Sequence, residues 1–171
     1  MKTLILGGVR SGKTRLAQQR ASESGLDVVY LATAQAGDAE MRQRIERHRL
    51  DRPAHWSLIE EPLSLAAALL AHAAPTRCLI VDCLTLWLTN LLLHEDAQCL
   101  QRERQALLET LPGLPGHLIL VSNETGLGVV PMGELTRRYC DEAGWLHQDL
   151  AAICDEVTLT VAGLPLPLKS R

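Results

Sequence analysis

The sequence has few aromatic residues and no dominant charge, and each shortage excludes a class of protein. Aromatic residues make up 3% of the 171 residues and phenylalanine is absent, so Leu, Val, Ile and Ala must build the core. A net charge of −3, from 17 Lys and Arg against 20 Asp and Glu, offers no basic field for nucleic acid. With 47% hydrophobic and 22% charged residues, the composition also excludes a disordered chain. We expect a globular protein that does not bind nucleic acid.

Long apolar runs and paired cysteines are missing as well. The longest apolar stretch, 84–93, is interrupted by Thr and Asn and is far shorter than the roughly 20 residues of a membrane span. The apolar start of the chain is too short for the core of a signal peptide. Five cysteines, an odd number without a C-x-x-C pair, indicate neither a disulfide framework nor a zinc site. These absences predict a cytoplasmic protein with reduced thiols and no membrane span.

Short apolar runs rich in β-branched residues alternate with longer segments of helical period. Strands are predicted at 3–6, 28–31, 78–81, 117–121 and 157–161, and helices at about 13–23, 38–50, 63–73, 84–94, 97–111 and 133–153. The runs are continuously apolar, which is typical of strands buried on both faces of a parallel sheet. The pattern predicts an α/β fold with a mostly parallel sheet, helices on both faces and one domain over residues 1–171. The motif G-G-V-R-S-G-K-T at 7–14 makes this predicted fold P-loop NTPase-like. Prolines at 165 and 167 exclude a regular helix from the tail.

A phosphate-binding motif follows the first predicted strand and opens a helix. Residues 7–14 read G-G-V-R-S-G-K-T and fit the pattern G-x-x-x-x-G-K-[ST] without a mismatch. Glycines let successive N–H groups point at one anion, and the helix N-terminus adds partial positive charge. We expect Lys13 to contact the β- and γ-phosphates and Thr14 to ligate Mg²⁺. The alternative is an ordinary glycine turn that Lys and Thr follow by chance. The predicted nucleotide-binding residues are Gly7, Gly8, Val9, Arg10, Ser11, Gly12, Lys13 and Thr14.

An acidic residue ends the third predicted strand. In Leu79-Ile80-Val81-Asp82 the carboxylate comes at the carboxyl edge of the sheet, opposite the phosphate loop. Asp82 is therefore predicted to contact the nucleotide and, with Thr14, to hold Mg²⁺. The alternative is an ordinary N-cap of the next helix, a position that Asp favours.

An arginine-rich segment surrounds a single histidine. The arginines are Arg42, Arg44, Arg47, Arg49 and Arg52. Their planar guanidinium groups suit bidentate contacts with phosphate, and their positive charge disfavours protonation of His48. A neutral imidazole among phosphate-binding arginines could attack phosphorus and form a covalent intermediate. The residues alone leave this hypothesis open against a solvated, charged helix face.

A glycine-containing loop follows the fourth predicted strand. Asn123 and Glu124 precede Gly126 and Gly128 at the edge where α/β proteins bind ligands. We interpret this segment as a substrate-side loop, with a flexible surface turn as the alternative. The remaining histidines lack metal-ligand spacing and are interpreted as structural: His55, His72, His94, His117 and His147.

With these motifs, the sequence resembles the bifunctional adenosylcobinamide kinase / adenosylcobinamide-phosphate guanylyltransferases of cobalamin biosynthesis. The resemblance covers nearly the whole chain. Its most specific segments read D-C-L-T-L-W-L-T-N at 82–90 and S-N-E-x-G-x-G-x-V-P at 122–131. Y-L-A-T-A at 30–34, R-I-x-x-H-R at 44–49 and V-A-G-L-P at 161–165 also follow the family's order.

The resemblance implies two reactions and a set of site residues. The γ-phosphate of ATP or GTP goes to a hydroxyl of adenosylcobinamide, and GMP from GTP then goes to adenosylcobinamide phosphate through a guanylylated histidine. The product is adenosyl-GDP-cobinamide, Mg²⁺ is the cofactor, and His48 is the implied nucleophile. Further implied nucleotide contacts are Ala32, Thr33, Ala34, Arg49, Leu50, Asp51, Arg52, Glu60 (with Glu61 beside it) and Asp82.

Some features depart from the family or fit other proteins. R-Y-C-D at 138–141 and W-L-H-Q at 145–148 differ from the family's usual R-x-F-R-D and Asn-Gln, which puts the corrinoid preference in question. The apolar stripe of 84–93 fits a subunit contact in a homo-oligomer or burial in the core. Alternative functions are a P-loop kinase or small NTPase with another substrate, and a nucleotide-switched binding module. Neither alternative predicts a covalent GMP adduct.

Overall fold

A computed structural model describes residues 1–35 and 53–170 of the chain. The strands in these ranges are β1 (Lys2–Gly7), β2 (Asp27–Ala32), β3 (Ser57–Glu60), β4 (Arg77–Asp82), β5 (His117–Asn123), β6 (Glu156–Val161) and β7 (Leu164–Lys169). The helices are α1 (Lys13–Glu23), α2 (Leu65–His72), α3 (Leu84–Leu92), α4 (Cys99–Thr110) and α5 (Glu134–Ile153), with a 3₁₀ turn at Leu111–Gly113. The helix predicted at 38–50 lies outside the described residues.

The strands form a single sheet in the order β3-β2-β4-β5-β1-β6-β7. Every pairing from β3 to β6 is parallel, and β7 alone runs antiparallel to its neighbour β6. The parallel strands end at a common edge, so Gly7, Ala32, Asp82 and Asn123 meet there. Loops at this edge form the usual ligand site of an open α/β sheet.

Side chains alternate across the sheet and divide the core in two. From β1, Leu4 and Leu6 pack with α2, α3, α4 and α5, whereas Ile5 packs on the opposite face with α1. Because both faces are covered, the central strands are almost entirely apolar. The predicted α/β sheet with helices on both faces is thus confirmed.

Two strands were not predicted, and both lie at sheet edges. β3 has four mostly exposed residues, so it lacks the continuous apolar run that marks a buried strand. β7 contains Pro165 and Pro167, which exclude a helix but are tolerated in an edge strand because its outer side needs no N–H donor. The five predicted strands and the described predicted helices are all present, with ends shifted by a few residues.

The apolar stripe of α3 belongs to the core. Trp87 is fully buried, and its indole N–H donates to the carbonyl of Leu63 at 2.7 Å. Leu84, Leu88 and Leu91 are buried around it. Core burial therefore accounts for the pattern.

None of the helices in residues 1–35 and 53–170 has the length and apolar character that crossing a membrane requires.

Candidate nucleotide site

The loop between β1 and α1 has the conformation of an anion cradle. Gly12 precedes the helix with φ of +97°, in the left-handed region that favours glycine. The carbonyl of Gly8 accepts the Ser11 N–H at 3.2 Å and the Lys13 ammonium at 2.9 Å. The loop therefore curls back on itself, and the amides of the first helical turn remain directed at its mouth.

The loop is supported from below by the β6–β7 turn. A Cβ at Gly7 would lie 2.4 Å from the Ser11 hydroxyl and 2.6 Å from the Thr160 carbonyl, so the chains approach too closely for a side chain. The Gly163 N–H, in the turn, donates to the Ser11 carbonyl at 2.8 Å. The sequence does not predict this contact, since nothing local to residue 163 shows that it meets residue 11.

Lys13 is held at the base of the cradle with only 8% of its surface exposed. Burial lowers the pKa of this lysine, because a desolvated ammonium is disfavoured, and the nearby Asp82 carboxylate raises it in part. The Gly8 carbonyl thus positions the ammonium, and the Asp82 carboxylate partly offsets its positive charge, before any phosphate binds.

Asp82 is fixed by hydroxyl groups from two other elements. Thr14 Oγ1 donates to Asp82 Oδ2 at 2.9 Å, and the Tyr30 hydroxyl donates to the same oxygen at 2.7 Å. The structure therefore brings Thr14 and Asp82 together, as expected from the two motifs. Tyr30 was missed as a site residue, although an aromatic residue with a polar tip in a buried strand could have indicated it.

Thr33 joins the end of β2 to the start of α3. Its hydroxyl donates to the Cys83 carbonyl at 2.7 Å and accepts the Cys83 N–H at 3.0 Å. Its carbonyl accepts the side-chain amide of Asn90 at 2.8 Å. The fully buried Thr33 thus shapes the segment that also contains Ala32 and Ala34. Nucleotide contact by these three residues stays a prediction.

Two acidic residues at the end of β3 have different surroundings. Glu60 is exposed and pairs in register with Ala32, at the carboxyl edge of the sheet. Glu61 Oε1 accepts the N–H groups of Leu63 and Ser64, which holds the turn before α2. Of the pair, only Glu60 has a side chain free to face a ligand within the described structure. The predicted site residues His48, Arg49, Leu50, Asp51 and Arg52 lie outside the described residues.

A polar network anchors the loop after β5. His147 of α5 lies with Nε2 2.8 Å from Ser122 Oγ and Nδ1 3.7 Å from Glu124 Oε2. Glu124 Oε1 in turn accepts the Gly126 N–H at 2.6 Å. The loop base is therefore fixed, while its apolar tip, including Val129 at 95% exposure, is open to solvent.

We expect His147 to make stability depend on pH. Burial lowers the pKa of His147, so protonation favours the unfolded chain. Stability should be complete above the unfolded pKa of about 6.5 and should fall as pH drops through the lower folded value. Urea unfolding near pH 7.5 and 5.5 should show a smaller loss for His147→Gln than for wild type. The variant keeps the contribution of His117, whose pKa burial also lowers. An unchanged loss in His147→Gln would contradict the prediction.

Comparison with known proteins identifies the family. The solved structure titled as the RadB recombinase superposes with a TM-score of 0.52 at 19% identity, covering 92% of this chain and 73% of that one, which supports the P-loop NTPase-like fold. The bifunctional adenosylcobalamin biosynthesis protein CobP of Pseudomonas aeruginosa is 69% identical over 171 residues, covering 100% of this chain and 99% of the relative. Escherichia coli CobU, described by the same function, is 36% identical, with 99% and 100% covered. Residues 3–168 match the family described as cobinamide kinase / cobinamide phosphate guanyltransferase, and the chain belongs to this family.

Proposed function

We propose that this chain phosphorylates adenosylcobinamide with ATP or GTP, then transfers GMP from GTP to the product, in adenosylcobalamin biosynthesis. The observation that carries the proposal is the assembled Lys13, Thr14 and Asp82 constellation in a chain 69% identical to a bifunctional relative. We place both reactions in one domain spanning residues 1–171 and in the cytoplasm.

In the kinase reaction, the chain's residues position and neutralise rather than react. The amides of the loop and of the α1 N-terminus hold the β- and γ-phosphates. The Lys13 ammonium exchanges the Gly8 carbonyl for phosphate oxygens, so its charge is used where negative charge builds up. The acceptor hydroxyl forms a bond to the γ-phosphorus, the bond to the β,γ-bridging oxygen breaks, and the hydroxyl proton passes to solvent.

Mg²⁺ fits the residues at this edge. Thr14 and Asp82 present a hydroxyl and a carboxylate oxygen 2.9 Å apart, and such hard oxygen donors, completed by phosphate oxygens and water, suit Mg²⁺. When bound, the ion would neutralise charge on the β- and γ-phosphates. Tyr30 keeps the Asp82 carboxylate oriented toward that position.

We expect Asp82→Asn to raise the Mg²⁺ concentration for half-maximal kinase activity by about tenfold or more, because a charged ligand is lost. Tyr30 and Thr14 can still donate to the amide oxygen, so thermal stability should change little. A Mg²⁺ titration of activity measures the effect. Asp27→Asn, an exposed aspartate at the opposite end of the sheet, is the control. An unaltered titration in Asp82→Asn would exclude the metal role.

For guanylyl transfer, we propose His48 as the nucleophile. Its imidazole nitrogen bonds to the α-phosphorus of GTP, and the bond to the α,β-bridging oxygen breaks to release diphosphate. A phosphate oxygen of adenosylcobinamide phosphate then attacks the same phosphorus and the histidine leaves. Cys83 is a poor alternative, because burial raises the pKa of its thiol to about 11 and keeps it protonated.

The two-step proposal is tested with the purified chain, Mg²⁺ and adenosylcobinamide. ATP alone should give adenosylcobinamide phosphate, and addition of GTP should convert it to adenosyl-GDP-cobinamide, as followed by chromatography. Label from α-³²P GTP should stay with denatured protein. Phosphate formation without label or GDP product would favour a simple kinase. Corrinoid-independent hydrolysis would favour an NTPase.

A further inference from the structure

We propose that the Asn123 carboxamide donates a hydrogen bond to the γ-phosphoryl group and is a further catalytic residue of the kinase reaction. This inference rests on the proposed function. It arises from the place of Asn123 at the end of β5, the strand between the one that carries the phosphate loop and the one that carries Asp82.

Strand alternation places the Asn123 side chain on the face of the sheet where the phosphates bind. Val121 packs with α1, and Ser122 points to the other face, where it meets His147. Asn123 therefore returns to the α1 face. Asp82 lies on that face too, since its carboxylate accepts the hydroxyl of Thr14 in α1.

The register places Asn123 between the two halves of the site. Asn123 pairs with Gly7, where the phosphate loop begins. Val121, two residues earlier in β5, pairs with Asp82. Asn123 therefore lies two residues further along β5 and one strand across from Asp82. With the usual strand rise and spacing, this places their Cα atoms about 8 Å apart. A transferred phosphoryl group can occupy a gap of this size.

The backbone of Asn123 is fixed on both sides. Its N–H donates to Thr85 Oγ1 at 2.7 Å, and the N–H of the next residue, Glu124, donates to the Gly7 carbonyl at 3.0 Å. These bonds tie the end of β5 to α3 and to the phosphate loop. The side chain is therefore presented from a rigid position, as catalysis by electrostatic preorganisation requires.

The carboxamide itself is uncommitted. It is half-buried, yet it makes no hydrogen bond to another residue of the described ranges. By contrast, the side chains of Thr14, Tyr30, Thr33 and Asp82 at this edge all have partners in the structure. A half-buried amide with two free N–H groups beside an anion site is well suited to a phosphate oxygen.

The bond would act during transfer. As the acceptor oxygen bonds to the γ-phosphorus and the β,γ-bridging bond breaks, the equatorial oxygens of the phosphoryl group carry the charge. A neutral donor fixed beside them stabilises that arrangement without adding charge to the site. Because ADP lacks this group, the contact distinguishes ATP from ADP.

Asn123→Ala tests the proposal through rate and affinity together. We expect kcat of the kinase reaction to fall about 10- to 100-fold, the effect of losing one hydrogen bond to a charged group. Affinity for ADP should stay within about twofold of wild type, whereas affinity for a non-hydrolysable ATP analogue should fall. The isosteric Asn123→Asp should weaken the analogue further, because it places a negative charge near the γ-phosphate. Gln105→Ala, an exposed amide on α4, is the matched control.

Several outcomes would overturn the inference. A kcat for Asn123→Ala within about threefold of wild type would exclude a catalytic contact. Equal losses of ADP and analogue affinity would indicate a structural role, and Asn123→Asp, which keeps the side-chain shape, checks this should the alanine variant unfold. Failure of the wild type to phosphorylate adenosylcobinamide would refute the proposed function instead, while the comparison of ADP with the ATP analogue would still test Asn123.

Discussion

Replacing Lys13 by alanine is expected to lower the kinase rate by about 10²- to 10³-fold while leaving the fold intact. In the proposed kinase reaction the Lys13 charge neutralises the γ-phosphate, and no other lysine lies in the loop. The variant loses the hydrogen bond to the Gly8 carbonyl, which lowers the stability of the fold. It also loses a desolvated ammonium, whose pKa burial lowers, and this loss raises stability. The two effects oppose each other, so the melting temperature should change little. Steady-state kinetics and a thermal melt measure the two quantities.

Lys169→Ala is the matched control for this experiment. Its ammonium donates to the carbonyls of Ala151 and Ala152 at the end of α5, far along the chain from the phosphate loop. Its loss should reduce stability and leave turnover unchanged. Near-normal turnover in Lys13→Ala, with an unchanged melting curve, would refute the assignment of the loop.

His48→Ala should separate the two reactions. In-line transfer of a γ-phosphate needs no protein nucleophile, whereas GMP transfer through a covalent intermediate does. The variant keeps Lys13, Thr14 and Asp82, so it should still produce adenosylcobinamide phosphate. It should then accumulate that compound, with no detectable conversion to the GDP derivative.

The measurement follows both corrinoid products by chromatography and the label from α-³²P GTP on denatured protein. Wild type should be labelled and His48→Ala should not. Some loss of kinase activity is compatible with the proposal, because Arg49 and Arg52, close to His48 in the sequence, are themselves predicted nucleotide contacts. Wild-type labelling in His48→Ala would assign the nucleophile to another residue.

The sequence was sufficient for the parts of the fold that depend on local pattern. The buried parallel strands are continuous apolar runs, and the phosphate loop is a contiguous motif whose glycines serve its own backbone. The pairing of Thr14 with Asp82 also followed, because parallel strands end at one edge and both residues occupy that edge.

The remaining features depend on contacts between distant segments. β3 and β7 are mostly exposed edge strands, and neither has the continuous apolar run that is typical of a buried strand. Tyr30 and Gly163 support the site through partners 52 and 152 residues away, so no local spacing reveals them. The role proposed for Asn123 likewise depends on strand alternation and register, which the sequence alone does not give.

Because β1 is an interior strand of the sheet, the order of synthesis delays its pairing. Its two neighbours in the sheet are β5 and β6, which begin at His117 and Glu156, and the turn that supports the loop includes Gly163. A nascent chain therefore carries the whole phosphate-binding motif long before any strand can pair with it. Bound nucleotide stabilises only a conformation that can hold it, so ATP or GTP can assist the nearly complete chain but not its early folding intermediates.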